Sequence, residues 1–250
     1  MIGIISAMQE EMQTLIENLK NAEHHTKGMR TYYSGILWEH KVVLVFSRWG
    51  KVAAATTATQ LINDFSIDEI IFTGVAGAVV DDLNIGDIII GKNLYQYDVD
   101  ARPFFKRFEI PILGMEYIET SRHKRKQLEK GAKQFVINYQ EHVSPQKAAQ
   151  YTIDIPKVKV SDIGSGDRFI SSQEAVNDFN SILPTVSCVE MEGASVAQVC
   201  YEYQIPFSII RIISDKANDN AHIEFQQFAA DVATHYALGI LYYYLNNASY

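Results

Sequence analysis

The chain of 250 residues is 47% apolar and 21% charged, which excludes a fibre or a disordered polymer and gives enough length to bury a core without a disulfide or a metal. Acidic residues outnumber basic ones by 30 to 22, and the net charge of −8 argues against a nucleic-acid footprint or an anionic membrane surface, leaving a small molecule as the expected partner. Cys188 and Cys200 lie in apolar stretches and read as buried reduced thiols of a cytoplasmic protein, and no apolar stretch approaches the roughly 20 residues that a bilayer span needs.

In chain order, residues 2–5 read as the first strand, and the absence of a basic leader before Gln9, Glu10 and Glu11 argues against a signal peptide. Met8, Met12, Leu15, Ile16 and Leu19 then recur at helical spacing. Strands are expected at 42–46, 70–73 and 88–90, with an Ala/Thr-rich helix at 51–65. The stretch 97–114, with Pro103, Pro111 and several aromatics, is the least regular, and long irregular segments in compact domains tend to be functional. A helix at 122–135 begins with Arg122-His123-Lys124-Arg125-Lys126 behind a Thr120-Ser121 cap, and this run reads as a solvated helix face. A strand at 186–189, a helix at 193–203, a strand at 207–213 and a helix at 223–245 complete the pattern. The alternation predicts one α/β domain over residues 1–250, with a mixed, mainly parallel sheet wrapped by helices.

In open α/β sheets ligands sit beyond the carboxyl ends of strands, and three acidic groups occur there. On a helical wheel Glu11 falls at the edge of the apolar stripe while Glu10 points away; a boundary carboxylate is the plain alternative for Glu11. Glu190-Met191-Glu192 ends a strand and starts a helix, where either helix capping or a ligand site fits. Arg211 interrupts an apolar strand and must meet a carboxylate or a ligand, because an unpaired buried charge costs several kcal/mol. Ser214 and Asp215 close that strand. The turn Thr73-Gly74-Val75-Ala76-Gly77 would let backbone approach a ligand, yet it carries neither a dinucleotide fingerprint nor a phosphate-loop lysine. Phe169, beside the turn Ser165-Gly166-Asp167-Arg168, is either core or a platform for a base. The histidines are scattered and form no metal pattern.

These segments, together with Gly3-Ile4-Ile5-Ser6-Ala7-Met8-Gln9-Glu10-Glu11 and Gly50-Lys51-Val52-Ala53-Ala54, appear in order along nearly the whole chain. The sequence resembles the 5'-methylthioadenosine/S-adenosylhomocysteine nucleosidases of the nucleoside phosphorylase superfamily. The resemblance implies a three-layer α/β/α domain, no cofactor or metal, and hydrolysis of an N-glycosidic bond to release adenine in methionine salvage and methyl-cycle recycling. It implies that Asp215 is the general acid at adenine N7, that Glu11 activates water, and that Glu192 binds the ribose and offsets developing positive charge with Met191 against the sugar. Phe169 would stack on adenine while the Ile170 backbone reads its edge, beside Val75, Ala76 and Gly77; Ser214 would orient Asp215, and Arg211 would organise the acids around Glu190. Met8, Phe104 and Phe225 would form the slot for the 5' substituent, and homodimers are usual in the family, with segment 97–114 as the loop that closes a neighbour's pocket.

Three departures stand out. Trp49 replaces a smaller aliphatic residue, Tyr97-Asp98-Val99-Asp100 replaces a His-Asp-Ala-Asp-type stretch, and Val75 stands where serine is common. The first two bear on the 5' preference, and the third leaves Asp215 with one fewer partner. Rival readings are an aminodeoxyfutalosine nucleosidase, a nucleoside phosphorylase and a non-catalytic adenosine-binding relative. Met8-Gln9-Glu10-Glu11 offers no arginine for phosphate, which counts against the phosphorylase.

Overall fold

In the computed structural model residues 1–9, 12–217 and 221–247 are described, the side chains of 221–224 and 247 excepted. Strand β1 (Ile2–Ser6) leads through helix α1 (Gln13–Glu17) to β2 (Lys20–Lys27), β3 (Arg30–Leu37) and β4 (His40–Phe46), followed by α2 (Lys51–Phe65), β5 (Glu69–Ala78) and β6 (Ile88–Gln96). Next come β7 (Ile118–Glu119), α3 (Arg122–Ile137), α4 (Tyr139–His142), α5 (Pro145–Gln150), β8 (Val158–Ser165) and α6 (Gln173–Ile182). Strand β9 (Val186–Glu190), α7 (Gly193–Glu202), β10 (Phe207–Asp215), α8 (Ala221–Phe228), a π-helical turn (Ala229–Ala233) and α9 (Thr234–Asn247) follow.

The β-branched runs pair into one mixed sheet. Strand β1 lies parallel between β4 and β5, with Ile4 beside Leu44 and Ile71. On the far side β5 pairs parallel with β10, β10 antiparallel with β6, β6 parallel with β8, β8 parallel with β9, and β9 antiparallel with β5. That half of the sheet therefore closes on itself, while β3 and β2 extend the other half outward. Alternation along the central strands sends Ile4, Leu44, Ile71 and Ile212 to a core shared with Leu15, Phe135, Tyr236 and Ile240, and sends Ile5, Val43, Phe72 and Ile213 to a second core under Ala58, Leu61, Ala197 and Cys200. Helices α1, α3 and α9 thus cover one face and α2 and α7 the other, giving the expected three layers.

Three local expectations are corrected, and one strand, β2, lay outside them. The helical period starting at Met8 yields a helix only at α1, because Met8 turns out of β1 with its amide near Ser6 Oγ; Met12 and Leu15 still reach the core. The wheel argument for Glu10 and Glu11 falls outside the described residues. Strand β2, whose Lys-Asn-Ala-Glu-His-His-Thr-Lys sequence has no apolar alternation, forms by pairing with β3 as a charged edge. In the basic run of α3, Arg125 is buried rather than solvated, donating to Thr120 O at 3.0 Å and Glu119 Oε1 at 3.0 Å, and Lys124 pairs with Glu69. The C-terminal helix is interrupted by the π-helical turn, which buries Ala229, Val232 and Ala233. No helix among the described residues is long and apolar enough to cross a membrane.

Candidate active site

A cavity of about 230 Å3 opens where the strands end. Ala7 and Met8 follow β1, Trp49 follows β4, and Gly74 to Gly77 belong to β5. Arg168, Phe169 and Ile170 follow β8, Val189 to Glu192 span the end of β9, Arg211, Ser214 and Asp215 lie on β10, and Phe225 and Gln226 on α8.

Arg211 is the most demanding of these groups. It is 1% exposed, and its guanidinium meets Glu190 Oε2 at 2.6 Å while lying 4.2 Å over the Phe72 ring. A buried pair survives only when the remaining lone pairs are also met. Glu190 satisfies this: it accepts the Gly193 amide at 2.8 Å, the Glu192 amide at 3.2 Å and the Ser165 hydroxyl. Its carboxylate is consumed in holding β8, β9, β10 and the start of α7 together. Glu192, 5% exposed, accepts the Gly50 amide at 2.8 Å on Oε1.

Asp215 is 2% exposed. Ser214 Oγ lies 2.7 Å from Oδ2, and the Ala217 amide donates to Oδ1 at 2.9 Å. Gly77 is required beside it, since a Cβ there would stand 2.8 Å from Asp215 Oδ1. Phe225 bridges Trp49, at 5.9 Å between ring centres, and Phe169, at 6.1 Å, and builds an aromatic wall. Burial pushes the Cys188 and Cys200 thiols up, so both stay protonated and neither supplies a nucleophile. Among the described residues no cluster of His, Cys, Asp and Glu could hold a metal ion.

The structure brings fourteen of the sixteen expected site residues to this cavity: Met8, Trp49, Val75, Ala76, Gly77, Phe169, Ile170, Glu190, Met191, Glu192, Arg211, Ser214, Asp215 and Phe225. Glu11 lies outside the described residues. Phe104 is not brought there within the single chain. It is 85% exposed beside Arg102, Pro103 and Lys106, because segment 97–114 turns back on itself through the Phe108 amide and Val99 O at 3.0 Å. Sequence reasoning assigned no role to Ala7, Arg168, Val189, Gly50 or Gln226. The first four lie within recognised motifs, where their position was a usable signal; Gln226 carried none.

The phosphorylase superfamily model matches residues 1–244. A 5'-methylthioadenosine/S-adenosylhomocysteine nucleosidase of Staphylococcus aureus is 35% identical over 93% of this chain and 94% of its own. The Neisseria meningitidis enzyme of that name, solved with methylthio-immucillin-A, superposes with a TM-score of 0.86 at 30% identity, covering 98% of each chain. A futalosine hydrolase of Helicobacter pylori gives a TM-score of 0.83 at 32% identity, covering 98% of this chain and 97% of that one.

Proposed function

The chain belongs to the phosphorylase superfamily, and from that premise we propose that it hydrolyses the N-glycosidic bond of 5'-substituted adenosines, methylthioadenosine and S-adenosylhomocysteine, releasing adenine. The observation that carries this reading is the convergence of two buried carboxyl groups, Glu192 and Asp215, on one cavity beneath the exposed ring of Phe169.

Cleavage passes through an oxocarbenium-like sugar. Adenine stacks on Phe169 and meets the Ile170 backbone, and Asp215 gives its proton to N7 as the C–N electrons move into the base. That role requires Asp215 to carry a proton before reaction, and its buried place beside Ser214 supports one: a Ser214 hydroxyl turned toward Ala76 O, 3.4 Å away, leaves its own oxygen free to accept from a protonated Oδ2. Glu192, ionised, binds the ribose hydroxyls and faces the growing positive charge. Glu11 takes a proton from the water that adds to the sugar. Phosphate is disfavoured as the nucleophile because Arg211 is already engaged by Glu190, and a dianion would meet the ionised Glu192.

A second reading, cleavage of aminodeoxyfutalosine, is favoured by a specific feature. A second opening, lined by Met8, Phe46, Trp49, Phe225 and Ala230, shares Met8, Trp49 and Phe225 with the cavity and offers room beside it for a larger 5' group. The same proposal includes a cytoplasmic homodimer in which segment 97–114 of one copy closes the other's cavity.

Adenine release from the three nucleosides, each with and without phosphate and with the sugar product identified, tests these readings. Free sugar formed independently of phosphate is expected. A sugar 1-phosphate would assign a phosphorylase, and binding without release would assign a non-catalytic protein.

A further inference from the structure

Segment 166–170 carries Phe169 and Ile170 yet has little structure of its own: within it the Arg168 amide reaches back to Gly166 O at 2.8 Å. Its position is fixed by neighbours. The Tyr97 hydroxyl donates to Arg168 O at 2.6 Å, and the Tyr97 ring covers Gly166 so closely that a Cβ there would lie 2.5 Å from it. On its other side the ring packs edge-on to Phe179, at 5.3 Å between centres. Burial, and then the charge of Asp98, raise the Tyr97 phenol well above its ordinary value, so it stays a donor.

Two carboxylates complete the mounting. Asp98 accepts the Asp167 amide at 2.9 Å on Oδ2 and Lys51 Nζ at 2.6 Å on Oδ1. Asp167 Oδ1 in turn accepts the Lys51 amide at 2.8 Å. The preceding amide, that of Gly50, is the one that holds Glu192. Successive peptide units at the start of α2 therefore grip the carboxylate on the sugar side and the segment on the base side. Gly50 adopts φ +92°, and a Cβ there would stand 3.0 Å from Asp167 Oδ1, so the junction has no slack for a side chain.

We propose that Tyr97, Asp98 and Asp167 are positioning residues that hold segment 166–170 at a fixed distance from Glu192 and so set the affinity for the adenine ring. The inference rests on the reading of that segment as the adenine site.

The test is Tyr97→Phe, which keeps the ring over Gly166 and removes the hydroxyl's hydrogen bond to Arg168 O together with its long contact to Gly166 O at 3.5 Å, both within the segment. KM for methylthioadenosine and the inhibition constant of free adenine should both rise about 5- to 10-fold, the scale of one lost hydrogen bond, with kcat nearly unchanged. Inhibition by methylthioribose, which occupies only the sugar side, should not move. Asp167→Ala should weaken adenine in the same way, while Asp167→Asn, which still accepts the Lys51 amide, should restore it; this pair decides the matter should Tyr97→Phe fail to fold. Adenine inhibition at wild-type strength in both Tyr97→Phe and Asp167→Ala overturns the inference, as does equal weakening of adenine and methylthioribose, which would report general loosening. A wild-type protein that neither releases nor binds adenine defeats the functional reading and this inference with it.

Discussion

Asp215 sits where an amide can keep the contacts that the acid makes with Ser214 and Ala217. In Asp215→Asn the side-chain oxygen can accept from the Ala217 amide, and the new NH2 can donate to Ser214 Oγ, whose hydroxyl can then turn toward Ala76 O. Fold and binding should therefore persist while the transferable proton is gone. We expect kcat to fall by about 100-fold or more, with the dissociation constant for substrate held within a few-fold, as measured by single-turnover kinetics and calorimetry. Near-normal turnover would remove Asp215 from the acid role. Glu192 and Asp215 each accept a main-chain amide, that of Gly50 at the start of α2 and that of Ala217, and Asp215 also lies beside the Ser214 hydroxyl.

At the scale of elements, Glu190 is the joint of β8, β9, β10 and α7. Glu190→Gln keeps several hydrogen bonds but leaves the Arg211 guanidinium buried without its countercharge, a loss of about 3 kcal/mol or more. Thermal unfolding should shift down by roughly 6–12 °C for a chain of this size; an unchanged midpoint would show that the charge is compensated elsewhere. Arg211 is also a case where the sequence was readable, since a charge within an apolar strand demanded a buried partner. The strands of the core were legible for the same reason, their β-branched runs being buried on both faces. Strand β2 was not, because an edge held by pairing needs no apolar pattern, nor was β8, whose Val-Lys-Val-Ser-Asp-Ile-Gly-Ser sequence mixes polar residues into a strand that ends in the ring. The closure of β5, β10, β6, β8 and β9 left no local trace, since it depends on which strands meet. Within the site, membership of contiguous motifs was legible, for Gly50 and Asp167 too, whereas the contacts that give Gly50, Asp98 and Asp167 their roles join segments far apart in sequence.

For the whole molecule, exposed large apolar groups are scattered, Met29, Ile137 and Ile155 among them, and some stand near the cavity mouth and on segment 97–114. Trp49 and Phe169 stand at the mouth, while Phe104 and Ile112, at 85% and 92% exposure, project from the segment. Exposed large apolar groups of this kind suit burial against another surface, and a second copy of this chain would present the same two features to each other under twofold symmetry. The proposed homodimer makes a prediction that no single-chain site can meet. Phe104→Ala would damage the neighbour's slot, whereas Asp215→Asn would disable the copy that carries it. In a mixed dimer, the copy with Phe104→Ala keeps its own Asp215 and is closed by an intact Phe104 from its partner, so one complete site reappears. Mixing the two variants under conditions that exchange subunits should therefore restore activity, at low substrate concentration, above the sum of the two alone. Sedimentation should report twice the 28.3 kDa chain mass. A monomeric mass, or mixed activity no greater than that sum, would place Phe104 outside the site and leave the slot to Met8, Trp49 and Phe225 of one chain.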